Sequence, residues 1–213
     1  MTFDSVLFDL DGTLWDASPA CAQAWTESLA TVGHPEITVT PAYARRFTGL
    51  SMGEILNLFF PSVPPELHAD LSKCYRLMEE LFMRAQGGSL YPDTDAVLRS
   101  LQQTRRLFIV SNCLEGYIEN FLRLTGLASV FAGFESMGHT GRSKADNIAS
   151  VIEVHGLRHP VFVGDTAQDA EAAESNRLPF VFAAYGFGSV PDPRFRIGSI
   201  RDLPGVLRGT GFG

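Results

Sequence analysis

Apolar residues along this chain fall into short unbroken runs: Ser5 to Leu10, Leu107 to Val110, Val161 to Val163, Phe180 to Ala183, and a weaker one over Val130 to Phe134. Runs of this length, bounded by turn residues and followed by helical periodicity, predict strands buried on both faces. Strands that alternate with helices predict an α/β fold, a doubly wound parallel sheet with right-handed crossovers and helices on both faces.

Almost 100 residues without a clear strand separate the first run from the second, far more than a crossover needs. The pattern there is helical. Ser18-Pro19 makes a helix start ahead of Trp25, Leu29 and Val32. Ser51 to Glu54 reads as a capping box before Ile55, Leu56, Phe59 and Phe60. A longer pattern from Pro65 to Gln86 carries Leu67, Leu71, Tyr75, Met78, Leu81 and Phe82 on one stripe and stops at Gly87-Gly88, a natural hinge. The predicted organisation is an α/β core of residues 1–16 and 88–213 with a small α-helical cap of residues 17–87. A helix from Thr94 to Gln103 leads into the second strand, and the glycine-rich tail after Arg208 is expected to fray.

Composition narrows the function classes. The 213 residues are 45% hydrophobic, ample for a core, with no apolar run near the length of a membrane-spanning helix and no signal-peptide pattern at the start. A cytoplasmic location is the expectation. A net charge of −7 without a basic block excludes nucleic-acid backbones as the main partner. Cys21, Cys74 and Cys113, an odd number at wide spacing, read as reduced, mostly buried thiols. The five histidines have no spacing suited to a metal cluster.

Every polar cluster falls just after a predicted strand, where ligands bind in such sheets. In extended chain Asp9 and Asp11 share a face, and two acids converging beside Gly12 call for positive charge, with a hard divalent cation such as Mg²⁺ the natural candidate. Ser111-Asn112 follows the second run. Val161-Phe162-Val163-Gly164-Asp165-Thr166-Ala167-Gln168-Asp169 gives a strand, a glycine turn and two acids one helical turn apart. Gly12 suits positive φ or close approach to a ligand.

Asp9-Leu10-Asp11-Gly12-Thr13 resembles the signature of the haloacid dehalogenase-like superfamily, and Ser111, Lys144 and Asp165 with Asp169 follow it in the family's order. The resemblance, to the phosphoglycolate phosphatase-like branch, implies Asp9 as nucleophile, Asp11 as general acid and base, and Thr13 lending its hydroxyl. Ser111, Asn112, Gly12 and Lys144 would hold the phosphoryl group, with Arg142 as a competitor for the lysine's role and Ala145 where the family often has proline. Mg²⁺ would sit on Asp9, the Asp11 carbonyl and Asp165, with Asp169 acting through water or as an orienting acid. Trp15, Asp16, Arg45, Arg46 and the turn at Gly49-Leu50-Ser51 are candidates for hinge or substrate contact, and Pro179 to Gly188 for the pocket mouth.

The activity so implied is Mg²⁺-dependent hydrolysis of a small phosphorylated metabolite by a monomer or homodimer. A phosphomutase, pyrophosphatase or nucleotidase would use the same machinery, and a phosphoryl-accepting signalling domain would share the clustered acids without the insert. Dehalogenation fits less well, because a halide needs no proton from an Asp11.

Overall fold

The computed structural model describes residues 3–209, so residues 210–213 of the glycine-rich tail lie outside the described residues. The chain divides into two compact units, one of residues 1–16 and 89–213 and one of residues 17–88.

The larger unit is built on a six-stranded sheet. β1 (Ser5–Phe8) runs into a turn and then β2 (Trp15–Asp16). The smaller unit is inserted next, with α1 (Ser18–Thr31), α2 (Pro41–Ala44), α3 (Met52–Phe59) and α4 (His68–Ala85). β3 (Ser89–Leu90) pairs antiparallel with β2, so the chain leaves and re-enters through one short ribbon. After α5 (Thr94–Gln102) come β4 (Arg106–Ser111), α6 (Tyr117–Thr125), β5 (Gly133–Ser136), α7 (Met137–Thr140) and α8 (Lys144–His155). β6 (Pro160–Gly164), α9 (Ala167–Ser175), β7 (Phe180–Ala183), β8 (Arg196–Ile197) and α10 (Leu203–Arg208) complete it.

The sheet order is β5-β4-β1-β6-β7-β8, and each neighbouring pair is parallel. Winding runs outward from β1 through β4 to β5, then returns to β6 on the other side of β1, so its direction reverses between β1 and β6. Alternate residues of the central strands serve opposite faces. Leu7, Phe108, Val110 and Phe162 pack with Ile148 and Val151 of α8 and Ala172 and Ala173 of α9. Val6, Phe8, Leu107, Ile109, Val161 and Val163 are also fully buried, which is why the strands read as unbroken apolar runs.

Two strand boundaries differ from expectation. β1 ends at Phe8 rather than Leu10, because the Leu10 carbonyl accepts from the amides of Thr13, Leu14 and Trp15 and closes a turn. β5 begins at Gly133, since Val130 instead buries itself in a turn, its amide bonded to the Leu127 carbonyl.

In the helical unit the reciprocal capping box of Ser51 and Glu54 is present at the start of α3. Trp25 is its centre, ringed by Phe47, Phe60 and a stacked Tyr75 at 4.1 Å. The stripe on α4 departs from the expected one: Leu81 is 59% exposed, and Glu79 is buried among apolar groups. Arg45 donates to the Ser18 hydroxyl at 3.2 Å, and Arg46 lies over the rings of Tyr43 and Phe59. No described helix is long and apolar enough to cross a membrane, and the three cysteines form no disulfide and are half-buried rather than sealed in the core.

Candidate active site

Asp9 stands one residue past the end of β1, its amide still bonded to the Val163 carbonyl of β6 at 2.9 Å. Phe8, Ile109 and Val163 are level across the sheet. The next residues along these three strands therefore bring Asp9, Ser111 and Asp165 to one end of the sheet. β1 and β6, which carry Asp9 and Asp165, are the strands between which the winding reverses, the crevice where open α/β sheets bind ligands.

Lys144 joins the acids. Its Nζ donates to Asp9 Oδ1 and to Asp169 Oδ1, both at 2.6 Å, and all three side chains are buried. Arg142, two residues before, is exposed, so the cation that meets the acids is Lys144. It enters at the first turn of α8, whose start is fixed by Ser143 accepting from the Asp146 amide. Burial works against the Lys144 charge, but Asp169 and Asp9 outweigh it and hold the ammonium above the usual lysine range.

Asp169 is fully engaged on its other oxygen. Oδ2 accepts from the Asp165 amide at 3.2 Å and from the Thr166 amide and hydroxyl at 3.0 and 2.7 Å. Thr166 and Asp169 form a capping box at the start of α9, so one carboxylate both starts a helix and holds Lys144. Gly164 permits this, because a Cβ there would lie 2.6 Å from the Asp169 side chain.

Asp165 is wrapped by main chain. Its Oδ2 accepts from the amides of Phe187 and Gly188 at 2.7 and 3.3 Å, and Oδ1 lies 3.5 Å from the Thr13 hydroxyl. Gly12, at φ +87°, approaches so closely that a Cβ would fall 2.2 Å from Asp165 Oδ2, and one on Gly186 would meet Asp165 and the Gly12 carbonyl at 2.4 Å. The Tyr185 hydroxyl donates to the Thr13 carbonyl at 2.8 Å and pins this loop to the turn after β1.

The carboxylate oxygens of Asp9, Asp165 and Asp169 come within 4.8 Å of one another. One ammonium faces three acids. Burial first, then the neighbouring acids, raises Asp165 above the ordinary carboxylate range. Asp9 is raised in the same way, against the pull of Lys144. A buried, all-oxygen donor set with surplus negative charge fits a hard divalent cation.

Asp11 is not part of that cluster. The premise of a shared strand face fails because β1 ends at Phe8, and the half-buried Asp11 carboxylate accepts instead from the Tyr117 hydroxyl at 2.7 Å. Ser111 is buried at the end of β4, and the side-chain oxygen of Asn112 is buried without a hydrogen-bond partner. Trp15 packs edge-on to Tyr117 and Phe121 within the core, and Asp16 lies opposite Ser89 in the β2–β3 ribbon.

Sequence reasoning missed Tyr117 altogether and gave the 185–188 loop only a place at the pocket mouth. The alternating Gly186 and Gly188 after β7 were the available signal for a backbone held against a side chain.

Known proteins resemble this chain over nearly its whole length. A phosphoglycolate phosphatase of Cupriavidus necator is 25% identical over 216 residues, covering 95% of this chain and 92% of that protein. Among solved structures, a haloacid dehalogenase-like hydrolase of Streptococcus pneumoniae superposes with a TM-score of 0.86 at 19% identity, covering 97% of this chain and 99% of the other. Protein tyrosine kinase A of Mycobacterium tuberculosis does so at 0.80 and 22%, covering 98% and 99%. Structural neighbours named for such different chemistry establish the fold alone. The profile of the haloacid dehalogenase-like hydrolases spans residues 6–183, from β1 through the clustered acids to the end of β7, and the chain belongs to that family.

Proposed function

We propose that the protein is a cytoplasmic, Mg²⁺-dependent phosphatase that hydrolyses a small organic phosphomonoester, of phosphoglycolate or sugar-phosphate type, through an aspartyl-phosphate on Asp9. The observation that carries this reading is the buried ion cluster in which Lys144 bridges Asp9 and Asp169 beside Asp165. The phosphatase name of the Cupriavidus relative supports the substrate class.

A carboxylate attacks phosphorus best when it is fixed and its counter-charge is local. Lys144 holds Asp9 Oδ1, which orients the carboxylate and places a cation where phosphoryl charge arrives. The Ser111 hydroxyl and the Asn112 amide, at the end of the adjacent strand, are suited to steady phosphoryl oxygens. Asp9, Asp165 and the Asp11 carbonyl would hold Mg²⁺, with Asp169 orienting Lys144 and reaching the ion through water. Bound there, the ion would screen one anion from another.

In the first step an Asp9 oxygen bonds to phosphorus, the bond to the leaving oxygen breaks, and Asp11 supplies that oxygen's proton. In the second, water attacks the phosphorus, Asp11 takes the water's proton, and the Asp9–phosphorus bond breaks to release inorganic phosphate.

Phosphate release from 2-phosphoglycolate, sugar phosphates, nucleotides and pyrophosphate, with Mg²⁺ or with EDTA, tests the reading. Wild type is expected to release phosphate only with Mg²⁺, and Asp9→Asn to lose at least about a thousandfold. Turnover that survives in Asp9→Asn, or that ignores EDTA, would refute it.

A further inference from the structure

Tyr117 reaches the reaction from outside every motif. It is the first residue of α6, 4% exposed, and follows Gly116 at φ +83°, a conformation that turns the chain sharply after the loop from β4. Its ring stands edge-on to Trp15 at 5.8 Å, and its hydroxyl donates to Asp11 Oδ1 at 2.7 Å. Asp11 and Trp15 are themselves joined by a backbone bridge, and the Gly12 amide donates to the Trp15 carbonyl at 2.9 Å. One tyrosine therefore touches both ends of the turn that carries Asp11.

We infer that Tyr117 is a positioning residue for the proton transfers of Asp11, an inference that rests on the phosphatase reading above. A phenol is a neutral O–H donor. While its O–H points at Oδ1, that oxygen is the acceptor, and the transferable proton of Asp11 belongs on Oδ2. In the first step Oδ2–H passes its proton to the leaving oxygen as the phosphorus–oxygen bond breaks. In the second step Oδ2 takes a proton from the attacking water. The Tyr117 hydroxyl keeps its own proton throughout.

Tyr117→Phe keeps the ring against Trp15 and removes only the hydroxyl, with near-UV circular dichroism to verify the fold. The measurement is kcat/KM, which runs through departure of the leaving group, for 2-phosphoglycolate and for 4-nitrophenyl or acetyl phosphate. An alkoxide needs a proton to leave and the activated groups do not. The loss in Tyr117→Phe should therefore be greater on the alkyl phosphate by about tenfold or more. In an Asp11→Asn background the same change should cost less than about twofold on the alkyl phosphate, because the group it positions is gone. Equal losses on both leaving groups, no loss on either, or losses that add fully in the double variant would overturn the assignment while leaving the phosphatase reading intact. A wild type that releases phosphate from none of these compounds would overturn that reading, and this inference with it.

Discussion

Lys144 places a positive charge in the first turn of a helix, the end that disfavours cations. Two carboxylates at 2.6 Å offset that disadvantage and the loss of water around a side chain only 7% exposed. Replacing it, as in Lys144→Met, leaves Asp9 and Asp169 buried without their counter-ion. Urea unfolding should show a loss of about 3–5 kcal/mol, accompanied by loss of phosphate release. Arg142→Ala, at an exposed position, should change stability by less than about 0.5 kcal/mol. Asp9, Asp165 and Asp169 stood out in the sequence because each follows a recognisable strand, whereas Lys144 was singled out only through the family resemblance. Tyr117 was not, since a tyrosine after glycine at a helix start reads as packing. Its contact with Asp11 spans 106 residues that only the sheet order brings together. Asp11 was read wrongly as a neighbour of Asp9 on a strand face, because the turn closed at Leu10 interrupts the extended chain.

At the scale of elements, loops and helices hold the acids through main-chain fit. The loop after β7 donates two amides to Asp165, and Gly186 is where that loop touches both Asp165 and Gly12. Gly186→Ala should lower the melting temperature by an amount equivalent to about 1–3 kcal/mol and move the Mg²⁺ requirement for phosphate release about tenfold or more upward. Gly205→Ala in α10, where a new Cβ meets nothing within 4 Å, should stabilise slightly.

On α4, burial raises Glu79 from an ordinary value of 4.5 to about 7, opposed by the Tyr75 hydroxyl at 2.6 Å. Tyr75 in turn faces Cys21 of α1. Between those two pH values the folded unit keeps a proton that the unfolded chain has lost, so stability falls as pH rises. Glu79→Gln, which keeps an acceptor for Tyr75, should therefore gain on wild type from little at pH 5 to about 3 kcal/mol at pH 8. Trp25 fluorescence in a Trp15→Phe background reads this unit's unfolding. Long strands, helices and the α3 cap were legible from periodicity. The two-residue strands β2, β3 and β8 were not, since two residues carry no period.

At the scale of the whole chain, the fold class was legible because a sheet covered on both faces writes itself as apolar runs. The order of its strands was not. β1 lies between β4 and β6, with Ser5 opposite Arg106 on one side and Pro160 on the other. The helical unit, by contrast, is one unbroken stretch, residues 17–88. Closing long loops is entropically costly and slow, whereas neighbouring helices meet early. In pulse-labelled hydrogen exchange during refolding, amides of α1 and α4 should gain protection before those of Val6 to Phe8. The first strand acquires both partners only once β6 has joined the sheet. A chain cut between Gly88 and Pro160 keeps the whole helical unit but lacks the strand beside which Asp9 is fixed, and with it Asp165 and Asp169 of the reactive cluster.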